Sequence, residues 1–168
     1  MVAMTSSGTA VVTLPADTQI VITREFDAPK HLVYRAYTEP ALIERWWSGD
    51  RGTVTSVEAD VRVGGTWRYV MKANEGMEIA FHGAYREVVP DERLVATEVY
   101  ELGPGAENDE AQATVNTTTF TESEGRTTMT LVTECPSQEI RDIIIASGME
   151  GGMQEGFDKL EQVAISLG

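Results

Sequence analysis

The end of this chain constrains it most. After Pro136 and Ser137, the residues Met149, Met153, Phe157, Leu160, Val163 and Leu167 recur at spacings of three and four. That period sets them on one side of an α-helix, with Asp158, Glu161 and Gln162 mostly on the other. Almost everything before it reads as β-strand. A chain of strands closed by one long amphipathic helix buries the apolar stripe of that helix against its sheet. The expectation is a curved sheet closed by the helix over a cavity.

The strands and turns can be read in order. Residues 1–16 are small, polar and weakly patterned, and are read as a flexible tail with a few extended residues near Val11 to Leu14. Residues 17–168 are read as a single domain. The β-prone run around Ile20, Val21, Ile22 and Thr23 is the first strand. Pro29 suits a first helical turn, and Leu32, Val33, Ala36 and Tyr37 follow at helical spacing. A second short helix is expected over residues 39–45, ending near Trp46-Trp47. Residues 53–60 form the next strand. In the one after it Trp67, Tyr69 and Met71 alternate with Thr66, Arg68 and Lys72. Residues 78–89, 94–100, 113–121 and 126–134 complete the set, separated by Asn74-Glu75-Gly76, Pro90-Asp91, an acidic loop at 103–110 and Glu124-Gly125. Short turns join antiparallel neighbours, so the sheet is antiparallel. Gly148, Gly151, Gly152 and Gly156 fall inside the helical pattern, each costing about 1 kcal/mol against alanine. The economical reading is a short helix over 137–146, a break at Ser147-Gly148, and a longer helix from Met149.

With 168 residues the chain suits one domain. A net charge of −14 repels phosphate backbones and anionic lipid, so neither nucleic acid nor a membrane surface is an expected partner. No apolar run reaches the length of a membrane span. Residues 1–14 have no Lys or Arg to open a secretory signal, and the lone Cys135 fits a reducing compartment; a cytoplasmic protein is expected. His31 and His82 have no partners at metal-ligand spacing, so neither metal nor cofactor is expected.

Several motifs occur in register: Arg24-x-Phe26-x-Ala28-Pro29, Ala36-x-Thr38-x-Pro40, Trp46-Trp47, Asp60-Val61-Arg62-x-Gly64-Gly65-x-Trp67, Phe81-x-Gly83-x-Tyr85-x-Glu87-Val88-x-Pro90-x-Glu92-Arg93-Leu94, Phe120-x-Glu122-x-x-Gly125-x-Thr127 and Ser147-Gly148-Met149-Glu150-x-Gly152-Met153. Over roughly residues 17–167 the chain thereby resembles bacterial SRPBCC proteins of the activator of Hsp90 ATPase homologue 1-like family, in the START/Bet v 1-like superfamily. The resemblance implies an α+β helix-grip fold: a seven-stranded curved antiparallel sheet around a long C-terminal helix, with two short helices after strand 1 and a cavity between sheet and helix. It does not imply one function, because the superfamily spans lipid and hormone binders, polyketide cyclases and co-chaperone domains, some tied to stress responses. Where family members often carry proline after the paired tryptophans, this chain has Ser48-Gly49.

The candidate ligand-binding residues are Trp46, Trp47, Trp67, Tyr69, Met71, Tyr85, Met149, Met153 and Phe157. Rings give a flat ligand surfaces to stack on, and methionine adapts to varied apolar shapes. For Trp67 and Phe157 a filled core weighs at least as much. Trp46 and Trp47, at a helix end, are read as the pocket rim, with their adjacent side chains pointing different ways. Catalytic candidates are limited to Glu98 and Tyr85, as proton-transfer groups. Glu98 lies on a strand whose two faces are equally apolar, and a solvated surface carboxylate is the stronger reading. Arg24, Arg62, Arg68 and Arg86 could fix an anionic head group or pair with surface carboxylates, and pairing is the stronger reading. The leading functional expectation is a non-catalytic binding module for a small apolar or amphipathic molecule. The alternatives are a cyclase- or hydratase-type enzyme and a co-chaperone-like interaction domain. A homodimer and a chaperone partner both stay open, since no residue pattern argues for either.

Overall fold

The computed structural model describes residues 9–101 and 113–168. Its elements follow the order β1 (Val11–Thr13), β2 (Gln19–Phe26), α1 (Lys30–Thr38), α2 (Pro40–Ile43), β3 (Gly52–Ala59), β4 (Thr66–Ala73), β5 (Glu78–Val89), β6 (Arg93–Glu101), β7 (Thr114–Ser123), β8 (Arg126–Glu134), α3 (Gln138–Ala146) and α4 (Met149–Ser166). All neighbouring strands pair antiparallel in one sheet of order β1-β2-β8-β7-β6-β5-β4-β3. β3 to β8 are thus a meander, and β2 closes beside β8.

The sheet has eight strands where the resemblance implied seven. The eighth is β1, in the stretch read as a flexible tail: Val11, Val12 and Thr13 pair with Thr23, Ile22 and Val21. Ala10 is buried, and its backbone N–H and C=O bond the side-chain amide of Gln154 on α4. The extended residues expected near Val11 to Leu14 are this strand; three residues are too short to show alternation, and its ladder partner and α4 tie it to the domain. The acidic loop expected at 103–110 lies outside the described residues.

Register sorts the side chains. Phe26, Leu94, Phe120 and Met129 face the helices and join Leu32, Val33, Ala36, Ile43, Trp46, Phe157, Leu160, Val163 and Ala164 in one buried core. Pairing carries this inner face across the sheet. Arg24 lies opposite Met129, Asn116 opposite Thr133 and Ala96, Glu98 opposite Thr114, Phe81 opposite Tyr100 and Tyr69. The β7–β8 turn, with Glu124 and Gly125 both at positive φ (54° and 77°), has the backbone twist favoured in tight hairpins.

The helix break falls where expected. Ser137 caps α3, its hydroxyl accepting from the Ile140 N–H, and Gly148 sits at φ 83° between α3 and α4. The remaining helix glycines face the loop after α2 rather than the sheet. A Cβ on Gly156 would stand 3.4 Å from the Trp46 carbonyl oxygen, and one on Gly151 2.6 Å from the Arg51 guanidinium. Glu155 holds that loop, accepting from the Asp50 N–H and pairing with Arg51. Ser48-Gly49 belongs to this seam: Gly49, at φ 57°, approaches Glu155 closely.

One pattern reading is corrected. Glu161, assigned to the polar side of the terminal helix, is buried at 7% exposure. Its carboxylate accepts from the buried Arg24 guanidinium at 3.3 Å and from the Asp27 N–H at 2.8 Å, tying α4 to β2. Helical periodicity reports which side of a helix is apolar, not which polar groups find a buried partner.

Candidate functional site

The inner face of β4, β5 and β6 carries a connected run of rings. Trp47, following α2, meets Tyr69 edge-on at 5.5 Å and Phe81 at 5.8 Å between ring centres. Trp67 tilts over Tyr69 at 4.7 Å, and Phe81 stacks on Tyr100 at 5.0 Å. Trp67 is oriented by its indole N–H, which donates to the Thr97 carbonyl. Trp47, Tyr69 and Phe81 keep part of their surface accessible, and Tyr100 is 47% exposed.

The adjacent tryptophans point apart, as expected, but only one faces this run. Trp46 is buried at 6%, stacks on Tyr37, packs against Phe157 and donates its indole N–H to the Ala36 carbonyl. The rim reading of Trp46 is therefore corrected to core, and Phe157, beside Phe26, is core as well. Met71 shares the inner face of β4 and is buried. Met149 and Met153, on the first turns of α4, are half-buried against the core.

Beside the rings, on β6, β7 and β8, lies a polar seam. The Thr133 hydroxyl donates to Asn116 Oδ1 at 2.8 Å, and the Asn116 amide donates to Glu98 Oε1 at 3.3 Å. The Tyr37 hydroxyl lies 3.5 Å from that of Thr118. Glu98 therefore corrects the solvated-surface reading: register puts it on the core side with Leu94 and Ala96. Both faces of β6 are apolar, so periodicity could not choose between them.

Electrostatics mark this region. Burial pushes the Glu98 carboxyl above its ordinary range, partly offset by the Asn116 hydrogen bond. Burial also raises the Tyr37 phenol, and the Tyr69 phenol well above its usual value; the Glu98 charge adds to both. Tyr85 is raised too, chiefly by burial, and stays a neutral phenol at physiological pH. Glu98, Tyr37 and Tyr69 nonetheless retain accessible surface.

The other titratable groups singled out in the sequence lie elsewhere. His82, Arg68 and Glu101 cluster on the outer face, where Glu101 accepts from Arg68 at 2.9 Å and lies 2.8 Å from His82 Nδ1. The Arg68 hydrogen bonds hold the Glu101 carboxyl down at about 2. Arg24 pairs with Glu161 and Asp158, and Arg62 with Asp60. Two open surface hollows, one along α3 at Gln138, Asp142 and Ile143 and one at Arg45, Lys159 and Gln162, include none of the candidate ligand residues.

Sequence reasoning missed Tyr37, Asn116 and Thr133 at the site and named Phe81 and Tyr100 only as strand residues. Asn116 had a usable signal: it alternates in step with Thr114, Thr118 and Phe120, and a carboxamide is unusual among strand threonines.

A family model described as activator of Hsp90 ATPase homolog 1-like protein matches residues 27–164. No curated protein matches the chain. Among solved structures, a crystal structure of a Rhodobacter sphaeroides protein is similar with a TM-score of 0.83 at 24% identity, covering 94% of this chain and 99% of that one. A solution structure from Arthrobacter aurescens gives 0.81 at 26%, covering 93% and 91%. One from Staphylococcus epidermidis gives 0.78 at 25%, covering 94% of each.

Proposed function

The chain belongs to the activator of Hsp90 ATPase homolog 1-like family, and from that premise we propose that it binds a small amphipathic molecule on the inner face of its sheet. Trp47, Tyr69, Phe81 and Tyr100 supply the flat apolar wall. Glu98, Asn116, Tyr37 and Thr133 supply the polar groups that orient a guest. The observation that carries this reading is geometric: the ring run Trp47, Tyr69, Phe81 and Tyr100 lies on the same face of the sheet as the hydrogen-bonded chain Thr133–Asn116–Glu98. An apolar recess with a few convergent polar groups is the ordinary form of a small-molecule site.

Native mass spectrometry of protein purified gently from its own host tests the proposal. The expected spectrum shows one small molecule per chain, lost in Trp47→Ala. Bare protein under gentle conditions would sink the reading.

Glu98 supports a second reading, a proton-transfer enzyme of cyclase or hydratase type. A carboxyl raised above its ordinary range by burial holds its proton more readily and is suited to return it to a guest. Tyr85, held as a neutral phenol, could serve only as a donor. Recovery of the bound molecule in a chemically altered form, abolished by Glu98→Gln, would favour this second reading over simple binding.

A further inference from the structure

The polar seam has a direction. Thr133 has one hydroxyl proton, and it goes to Asn116 Oδ1. That bond fixes which end of the carboxamide points away, so the Asn116 amide N–H is turned toward Glu98 and occupies Oε1. The other carboxyl oxygen, Oε2, has no protein donor among the described residues, and Glu98 keeps accessible surface on the inner face. Tyr37 and Tyr69 stand near enough to sense its charge. The Tyr37 hydroxyl has Thr118 as its partner.

The neighbouring backbone leaves this oxygen uncovered. Gly83 of β5 lies on the same face, across from the Glu98 region of β6. A Cβ there would stand 1.8 Å from the Thr97 carbonyl oxygen and 2.7 Å from Trp67 Nε1. No side chain at position 83 can reach over Glu98, and the Trp67 indole N–H is committed to the Thr97 carbonyl.

Resting on the binding proposal above, we infer that the guest presents a hydrogen-bond donor, a hydroxyl or amino group on a flat aromatic or polycyclic body, to Glu98 Oε2. The ring wall accepts the flat body, and the Thr133–Asn116–Glu98 relay holds the acceptor in place. A guest of the same shape without the donor leaves that oxygen desolvated and unmatched, which is where discrimination arises.

Isothermal titration calorimetry with two probes of similar shape, 2-naphthol and 2-methoxynaphthalene, tests this on the intact chain. Wild type is expected to bind 2-naphthol about tenfold more tightly. In Glu98→Gln, which keeps the shape and presents an amide N–H instead, the ratio is expected to fall towards one. Glu98→Leu removes the acceptor outright and gives the same result, with folding of both variants checked by circular dichroism. Equal affinity for the two probes in wild type, or a preference that survives both substitutions, overturns the role of Glu98 and leaves the binding proposal standing. Failure of wild type to bind either probe overturns this inference, and the mass spectrum then decides the binding proposal separately.

Discussion

Arg24 shows how much a single buried charge can organise. Its side chain is fully buried, its guanidinium lies 4.7 Å over the Phe26 ring, and it reaches two carboxylates on α4. Burial lowers its pKa, Glu161 and Asp158 oppose that, and a guanidinium stays charged regardless. Removing one partner of such a pair leaves an uncompensated charge inside. Glu161→Ala is therefore expected to lower stability by about 3 kcal/mol, read as a shift in the urea midpoint. It also strips the Asp27 N–H of its acceptor. A loss below about 1 kcal/mol would mean that Asp158, which is largely exposed, suffices alone. At this scale the sequence was only partly legible. Arg24 was read as a carboxylate partner, but its partner was sought at the surface, because helical spacing put Glu161 on the polar side.

At the scale of elements, reading and structure agree most closely. Alternation over β4 and β5 and the three-four spacing of α4 are long signals, and each was placed within a residue or two. What local pattern leaves open lies where one element depends on another: the pairing of the extended residues expected near Val11 to Leu14, and the facing of β6 on the strands beside it. The helix glycines divide in the same way. Gly148 is required by its own backbone, at φ 83°, whereas Gly152 meets only the Arg51 side chain, at 3.8 Å. Gly148→Ala is expected to cost about 1 kcal/mol, because an L-residue is strained there. Gly152→Ala is expected to add up to about 1 kcal/mol by favouring the helix. Thermal melts of the two variants should move in opposite directions; a shift of the same sign in both would refute the division.

On the scale of the whole molecule, the first described residues belong to the packed unit. β1 extends the sheet beyond β2, and Ala10 is clasped by Gln154 on the final helix. Deleting residues 1–14 is expected to lower stability by about 2 kcal/mol, the scale of a few lost hydrogen bonds and a buried methyl group, measured by urea denaturation. An unchanged midpoint would restore the flexible-tail reading for residues 9–14. The fold class was legible at this scale because strand order and the final helix are properties of long segments. The inward facing of Glu98 was not, since it depends on which of two equally apolar faces of β6 turns inward.

The sheet order also sets a timetable. β2 has no strand to lie against on its inner side until β8 exists, roughly a hundred residues later, while the strands between them can zip up hairpin by hairpin. At ribosomal rates of about 5–20 residues per second, β2 waits on the order of several seconds with Ile20, Ile22 and Phe26 uncovered. The ring wall on β4, β5 and β6 is synthesised well before the terminal helix. A nascent chain of this topology therefore shows the rings of β4, β5 and β6 to the cell before β2 has paired with β8.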